Sequence, residues 1–341
     1  MNRRRLVTRV VLLLVAALSL YLLLPKLLDV FSSWPQLRGI DPLWFALALF
    51  FEALSFVALW TLQRIAIGTR SWFAIGTSQL AANAAGSIVP GGGAASGAVQ
   101  YSMLARAGIR GARVVSGLTA SAAATTAAIF VLPVVASLAG IGGVASPSGL
   151  RRVAYIGAAA FVLLGLATIA AFAWDAPLLA VARGVRGAAG WVHRRERLEE
   201  LPARLLAQRD GVRAAVAAHP LVAGLSALGK WGFDFLALVC VLQALGLHPE
   251  PPLVLLAYAA AALLALIPLT PGGLGFVEAG LTGLLVLAGI GAGDAAATTL
   301  AYRLVSYWLP LPVGLVAYWL GRRAFKSGPP AATLDPRTSP S

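Results

Sequence analysis

One short stretch organises the chain: Leu269-Thr270-Pro271-Gly272-Gly273-Leu274-Gly275-Phe276-Val277-Glu278. It sets a proline, a glycine cluster and a carboxylate inside a long apolar region. An earlier stretch, Ile88-Val89-Pro90-Gly91-Gly92-Gly93, has the same Pro-Gly-Gly core. A shift of 181 positions aligns the two cores and, without a gap, aligns Ala107-Gly108-Ile109 with Ala288-Gly289-Ile290. Two matches at one constant spacing indicate an internal duplication.

The composition predicts a polytopic membrane protein. Apolar residues make up 59% of the 341 residues, and charged residues make up only 12%. Soluble domains average roughly 45–50% apolar and about 25% charged residues, so this chain has too few charges to cover a water-facing surface. The net charge of +14 comes from basic residues in short segments between apolar runs. That placement indicates membrane topology and contact with anionic lipid, and it argues against a nucleic-acid partner.

Metal and cofactor sites are not expected. Cys240 is the single cysteine, which excludes an internal disulfide and a cysteine-based metal site. The three histidines, at positions 193, 219 and 248, are far apart, and none has the spacing of metal ligands.

The apolar pattern predicts six full spans and two pairs of shorter arms, each pair joined by a Pro-Gly-Gly turn. As a helix, the arm Ala94–Gly108 would extend about 22 Å, less than the roughly 30 Å hydrocarbon core. The total is eight membrane segments if the arms re-enter and ten if they span. Basic inner segments place both termini in the cytoplasm. The predicted spans are Leu6–Leu24, Pro42–Leu62, Ala112–Gly140, Val153–Trp174, Pro220–Leu245 and Ala295–Gly321, and the arms are Ser71–Val89 with Ala94–Gly108 and Leu253–Pro268 with Gly272–Ala288.

These segments form a single transmembrane domain, 1–326, followed by a Pro/Ser-rich tail, 327–341, that we expect to be disordered in the cytoplasm. Half one (6–140) and half two (151–321) share one plan: two spans, a pair of arms and a final span. Three crossings per half is an odd number, so the second half is expected to be inverted relative to the first. Inverted repeats with broken helices are the architecture of secondary transporters.

Two further features belong to this plan. Leu62-Gln63 and Leu242-Gln243 are predicted to end equivalent spans. Segment 178–217 is a basic amphipathic connector, with an apolar residue every seven positions from Trp191 to Val212. It is either a helix on the cytoplasmic leaflet or a solvated link between the halves.

The Pro-Gly-Gly turns predict an anion site. Non-helical backbone at membrane depth is tolerated only where it faces protein or a wet cavity. Proline ends the incoming arm, and the glycines permit the turn. The outgoing arm then presents free N–H groups and about half a positive charge. Two such ends, at Pro90-Gly91-Gly92 and Pro271-Gly272-Gly273, suit a group such as a lipid phosphate. Alternatively, both turns are ordinary loops between spanning helices.

Charges inside the membrane are functional candidates because each costs a few kcal/mol or more at that depth. Helical rise places Glu278 and Arg303 at a similar level, so we predict that they pair, with Glu52 as a third member. A substrate phosphate that displaced Glu278 from Arg303 would make this pair a charge clamp. Lys230 and Asp234 are four residues apart on one helix face and are expected to neutralise each other.

Pro271-Gly272-Gly273-Leu274-Gly275-Phe276-Val277-Glu278, followed by Arg303 and Tyr307, resembles the flippase-like integral membrane family that includes the transmembrane region of lysylphosphatidylglycerol synthase. Asn83 with Pro90-Gly91-Gly92 resembles the first-half motif of that family. The resemblance implies movement of a lipid or lipid-linked headgroup between leaflets of a bacterial plasma membrane. It assigns the site to Asn83, both turns, Glu278 and Arg303.

Two features of the chain depart from this family. No synthase domain follows position 321, so aminoacyl transfer is not expected. The first-half position that matches Glu278 is Gly97, so the site is asymmetric.

Three functions are compared on these grounds. The first is a non-enzymatic flippase whose partners are membrane lipids with anionic headgroups. The second is a secondary transporter of a small organic anion that uses the same pocket. The third, a membrane-embedded enzyme of lipid metabolism, is disfavoured because no catalytic cluster is recognisable. No P-loop is present, so energy would come from a gradient or from none. A homo-oligomer is left open. The candidate substrate-binding residues are Glu52, Asn83, Pro90, Gly91, Gly92, Pro271, Gly272, Gly273, Glu278 and Arg303.

Overall fold

The computed structural model describes residues 41–89, 92–140, 217–266 and 270–325, together with the isolated positions 163, 179, 210 and 214. This part of the chain is helical and contains no strand. A 3-10 turn spans Pro271–Gly273, and a π-helical turn spans Leu304–Trp308. The α-helices are α1 Pro42–Ile67, α2 Trp72–Ile88, α3 Gly92–Arg106, α4 Gly111–Ile129, α5 Val131–Gly140, α6 Pro220–Ala244, α7 Pro251–Leu264, α8 Phe276–Leu287, α9 Ala292–Arg303 and α10 Pro310–Ala324.

Several predicted segments lie outside these residues. They are the spans Leu6–Leu24 and Val153–Trp174, the tail 327–341, and almost all of the connector 178–217. Pro90 and Gly91 of the first turn also lie outside the described residues.

Within the described ranges, four stretches are long and apolar enough to cross a membrane: Pro42–Ile67, Gly111–Ala136, Pro220–Ala244 and Ala292–Ala324. They correspond to four of the six predicted spans. Many large apolar side chains on them are exposed, such as Phe50 and Leu225 at 55% and 61%. Outward apolar side chains of this kind suit contact with lipid acyl chains.

The central pair of helices is α1 with α6, which pack antiparallel. The Asp41 amide donates to the Ala244 carbonyl at one end (3.1 Å), and the Ser55 hydroxyl donates to the Lys230 carbonyl farther along (2.9 Å). Ala58 meets Gly229 where the backbones approach closely. Small residues and hydroxyl-to-backbone bonds are the usual means of packing helices in a membrane.

The two pairs of arms are formed by α2 with α3 and by α7 with α8, and the two members of each pair pack against each other. Their helices have 17, 15, 14 and 12 residues, or about 25, 22, 21 and 18 Å. All four are shorter than the roughly 30 Å core of a bilayer. In the first pair, a Cβ on Gly92 would overlap the Gly86 carbonyl, so only glycine allows this approach. In the second turn, Gly272 and Gly273 have φ of +59° and +72°, which glycine adopts without strain.

Two apolar clusters show where the arms begin and end. One contains Ile75 and Leu104, from the start of α2 and the end of α3, together with Phe325 beyond α10. The other contains Val254 and Leu285, from the start of α7 and the end of α8. The ends of the first pair therefore pack in one cluster, and those of the second pair pack in the other.

Charge is distributed unevenly between these two regions. Among the described residues, every arginine except Arg303 lies in a segment beside the first cluster. The segments beside the second cluster carry acids instead. The arginines are Arg64, Arg70, Arg106, Arg110, Arg113, Arg322 and Arg323, and the acids are Asp41, Glu250 and Asp294.

Two helix ends share the same backbone geometry at the spacing of the sequence matches. Gly108 and Gly289 end α3 and α8 with φ of +83° and +95°. Their amides donate to Ala105 and Val286, each at 3.0 Å, which preserves the 181-residue shift. Helix ends with a left-handed glycine satisfy carbonyls that would otherwise lack donors.

The ends of α1 and α6 also match, at a slightly different shift. Gly68 and Gly246 both have φ of +70°, which is a shift of 178 positions. The next residues, Thr69 and Leu247, donate to the Arg64 and Leu242 carbonyls. The prediction that Leu62-Gln63 corresponds to Leu242-Gln243 was therefore wrong by two residues, because the sequence match overlooked the glycine that ends each helix.

Candidate functional site

A central cavity of about 360 Å³ lies between helices of both halves. It brings together four of the predicted site residues, Glu52, Asn83, Gly272 and Arg303. Its other polar lining comes from Gln79, Ser87, Lys230, Asp234, Tyr258, Tyr302, Ser306 and Tyr307. Among the described residues, no group of three or more His, Cys, Asp or Glu side chains is placed to hold a metal ion.

Arg303 and Glu278 form the predicted ion pair. Arg303 Nε donates to Glu278 Oε1 at 2.9 Å, and both side chains are 11% exposed. Arg303 Nη2 also donates to the Gly272 carbonyl at 3.0 Å, so the guanidinium holds the second Pro-Gly-Gly turn. The Arg303 Cζ atom lies 4.2 Å from the centre of the Tyr307 ring, within the range of a cation–π contact.

Glu278 also caps its own helix. Its Oε2 accepts from the Gly275 amide at 2.6 Å, at the start of α8. A carboxylate three residues into a helix commonly returns to the first N–H group in this way. The N–H group at this helix start, which we predicted to be free for a ligand anion, is therefore occupied by Glu278. The carboxylate bridges the positive helix end and Arg303, where a ligand phosphate would find the same two partners.

Tyr307 connects the two pairs of arms. Its hydroxyl donates to the Ser87 carbonyl at the end of α2 (3.0 Å), and a Cβ on Gly272 would overlap its ring. The π-helical turn that contains Tyr307 ends at Trp308, two residues before Pro310, which has no N–H group to continue an α-helical pattern. Leu309 instead bonds the Leu304 carbonyl, five residues back, at 2.9 Å. Such turns occur frequently at functional sites.

A second charged cluster surrounds Asp234. Lys230 Nζ donates to its Oδ2 at 3.1 Å, so the predicted Lys230–Asp234 pair is confirmed. The Tyr258 hydroxyl donates to Oδ2 and the Tyr302 hydroxyl to Oδ1, each at 2.7 Å. We did not predict the two tyrosines, although a tyrosine inside an apolar span signals a need for a polar partner.

Glu52 belongs to this second cluster and not to the Arg303–Glu278 pair. It is 6% exposed and lies close enough to Asp234 and Lys230 for electrostatic interaction. The prediction that Glu52 joins Arg303 and Glu278 was therefore wrong. The physical reason is the antiparallel packing of α1 on α6, which brings Glu52 to Lys230 near the middle of both helices.

Three glutamine side chains, hydrogen-bonded in a row, lie beside the cavity. Gln100 Nε2 donates to Gln63 Oε1 at 2.9 Å, and Gln63 Nε2 donates to Gln79 Oε1 at 2.8 Å. Gln79 lines the cavity, and Asn83 lines it one helical turn farther along α2. These three glutamines join α1, α2 and α3. The sequence analysis did not predict them because a glutamine in an apolar run has no charge to mark it.

Together, the four long apolar helices, the broken shorter ones and the polar cavity define a polytopic, all-helical membrane protein. Comparison with known families agrees with this class. The chain belongs to the family described as "Lysylphosphatidylglycerol synthase TM region", which matches residues 9–314. The family resemblance read from the Pro-Gly-Gly motif is thus confirmed.

A curated archaeal relative is also similar to part of the chain. It is a protein of Methanothermobacter thermautotrophicus described as "UPF0104 membrane protein", with 37% identity over 90 residues. The match covers 26% of this chain and 26% of the relative. The chain therefore matches about a quarter of that relative's length.

Proposed function

We propose that the protein moves a phospholipid or a lipid-linked headgroup between membrane leaflets, without synthase or other enzymatic activity. The observation that carries this proposal is the position of Arg303 on the central cavity, with Glu278 bridging it to the Gly275 amide. A headgroup phosphate has the charge and the acceptor oxygens to take the place of the Glu278 carboxylate. Displaced Glu278 would return when the headgroup leaves, so the pair acts as an exchangeable clamp.

The packing of the arms supports two inverted repeats. The ends of the first pair pack in the arginine-rich region, and those of the second pair pack in the acidic region. The end of α2 contacts the π-helical segment through Ser87–Tyr307, and the second turn contacts the end of α9 through Gly272–Arg303. Short arms entering from opposite faces and meeting at mid-depth give a transporter two gates around one fixed site. In this proposal the arms re-enter instead of spanning.

The charge distribution supports the orientation and the partners. By the positive-inside rule, the arginine-rich region faces the cytoplasm, so both termini lie inside. We propose the plasma membrane of a bacterium as the location, with anionic lipids bound at these arginines. Arg323 lies 3.3 Å from the centre of the Trp319 ring, a pairing that suits the headgroup level of a membrane.

A small organic anion is the second candidate substrate, and the cavity volume favours it. About 360 Å³ is near the lower end of the range for small-molecule pockets. The cavity accommodates a headgroup or a whole small anion, but acyl chains would have to remain in the surrounding lipid. An opening between helices toward the lipid is therefore required by the first candidate and not by the second.

The deciding experiment measures lipid movement in reconstituted vesicles. A fluorescent phospholipid with an anionic headgroup is followed by quenching of the outer leaflet. We expect Arg303→Leu to lower the rate at least tenfold and the exposed control Glu250→Gln to leave it unchanged. Unchanged movement in Arg303→Leu would rule out the clamp. Movement of a water-soluble phosphate ester but of no lipid would favour the second candidate.

A further inference from the structure

The cluster of Glu52, Lys230 and Asp234 has more acids than bases. Glu52 and Asp234 are 6% and 5% exposed and lie in the middle of α1 and α6. With all three groups ionised, two carboxylates would face one ammonium, which leaves one uncompensated negative charge at membrane depth. Such a charge costs several kcal/mol unless it is paired or protonated.

Hydrogen bonds identify Asp234 as the ionised carboxylate. Lys230, Tyr258 and Tyr302 all donate to it, so both of its oxygens accept bonds. Three donors, one of them cationic, stabilise the charged form. Lys230 also lies 4.5 Å from the centre of the Trp231 ring, which adds a second contact for its charge. The Lys230–Asp234 pair is therefore neutral without Glu52.

Glu52 has the opposite environment. Within the described part of the chain, its Oε2 is buried without a hydrogen-bond partner. Its carboxyl group also lies close enough to that of Asp234 for the two charges to repel each other when both are ionised. Two like charges in one buried site favour protonation of one of the two carboxyl groups. Because Asp234 is held ionised by its three donors, the proton lies on Glu52.

We propose that Glu52 is a proton-binding site that couples the proposed transport to a proton gradient. When the site empties, the O–H bond of Glu52 breaks, its electron pair stays on the carboxylate, and the proton passes to water in the cavity that Glu52 lines. The new charge then competes with Asp234 for Lys230. The groups that face Glu52 are Lys230 and Asp234 from α6, Tyr258 from α7 and Tyr302 from α9.

Tyr302 links the Glu52 site to the Arg303–Glu278 pair. Its hydroxyl bonds Asp234, and the next residue of α9 is Arg303. When Asp234 changes its hydrogen-bond partners, the change therefore acts directly on α9, the helix that positions the Arg303 guanidinium. A metal cation is a poorer occupant than a proton, because the ammonium and hydroxyl donors already hold both oxygens of Asp234.

The test that needs no transported substrate is infrared spectroscopy of the full chain in detergent. We expect the band of a protonated carboxyl group at pH 7 in the wild type, its loss in Glu52→Gln, and its retention in Glu278→Gln. Absence of the band from the wild type at pH 7 would overturn the proposal. That readout remains decisive if Glu52→Gln fails to fold.

The second test uses vesicles and rests on the proposed function. One proton per cycle would drive up to about tenfold accumulation in one leaflet for each pH unit of gradient. We expect the wild type to respond in this way and Glu52→Gln, which mimics the protonated side chain, to show no response. Lipid movement that ignores the pH gradient, or that follows a sodium gradient, overturns the proton site and leaves the lipid function intact. Failure to move lipid with the infrared band present overturns the function alone.

Discussion

The two charged clusters share one cavity, but they differ in charge balance. In the Arg303 cluster, one cation meets one carboxylate, and the remaining contacts are the Gly275 amide and the Gly272 carbonyl of a turn. In the Asp234 cluster, two carboxylates meet one ammonium and two tyrosine hydroxyls. A balanced pair on a turn is suited to exchange with an anion. A cluster with one more carboxyl group than cations is suited to gain and lose a proton.

The largest effect is expected in the Asp234 cluster. Asp234→Asn, made in a Glu52→Gln background so that Glu52 cannot ionise in its place, leaves the Lys230 ammonium without a carboxylate and should lower the free energy of unfolding by about 3–5 kcal/mol. Unfolding in mixed detergent micelles measures this change. Replacing both partners, as Lys230→Met with Asp234→Leu, should recover much of the loss because no buried charge is then left unpaired. A loss below about 1 kcal/mol for Asp234→Asn in the Glu52→Gln background would contradict the assignment of Asp234 as the ionised carboxylate.

The next largest effect is expected at the turn held by Arg303. Gly272→Ala forces a side chain into left-handed backbone, which costs about 1–3 kcal/mol, and its Cβ would also overlap Tyr307. The same unfolding assay applies. Gly93→Ala, at the start of α3, is the control, since a Cβ there meets nothing within 4 Å. Equal losses in the two variants would mean that the second turn is not specially constrained.

Removing the Glu278 charge should separate stability from binding. Glu278→Gln weakens the bonds to Arg303 and Gly275 and should cost about 1–3 kcal/mol of stability. Because the carboxylate no longer competes for Arg303, binding of glycerol phosphate should tighten, as measured by calorimetry. The exposed control Glu250→Gln should change neither quantity. Weaker phosphate binding in Glu278→Gln would rule out exchange between Glu278 and an anion.

The smallest effect is expected from Tyr307→Phe. It removes the hydroxyl bond to the Ser87 carbonyl and keeps the ring over Arg303, so the loss should be about 1 kcal/mol. Tyr318→Phe, on the exposed face of α10, should be close to neutral. If lipid movement slows in Tyr307→Phe by much more than stability explains, the contact between the two pairs of arms contributes to gating.

Sequence reasoning predicted the contacts that depend on spacing along one helix or between neighbouring helices. Lys230 and Asp234 are four residues apart, and helical rise placed Glu278 level with Arg303. The capping of Gly275 by Glu278 also had a readable signal, the spacing of a helix start and its third residue. In the sequence this motif indicated the family, but the bond from the Gly275 amide to the Glu278 carboxylate was not predicted.

The contacts that escaped prediction depend on which distant helices pack together. Glu52 was assigned to the wrong cluster because nothing in its local sequence indicates that α1 lies along α6. A related reason explains why the contacts of Tyr258, Tyr302 and the three hydrogen-bonded glutamines were not predicted. Uncharged polar side chains barely interrupt an apolar run, and their partners lie on other helices.

The antiparallel packing of α1 on α6 brings together two positions that the matching helix ends relate to each other. The shift of 178 positions that aligns Gly68 with Gly246 also aligns Glu52 with Lys230. In two identical halves packed in this way, the residue at this position would face its own copy, and a charged residue would meet a like charge. Glutamate at one of these positions and lysine at the other avoid that repulsion. The two halves are thereby made complementary, and neither is suited to pair with a copy of itself.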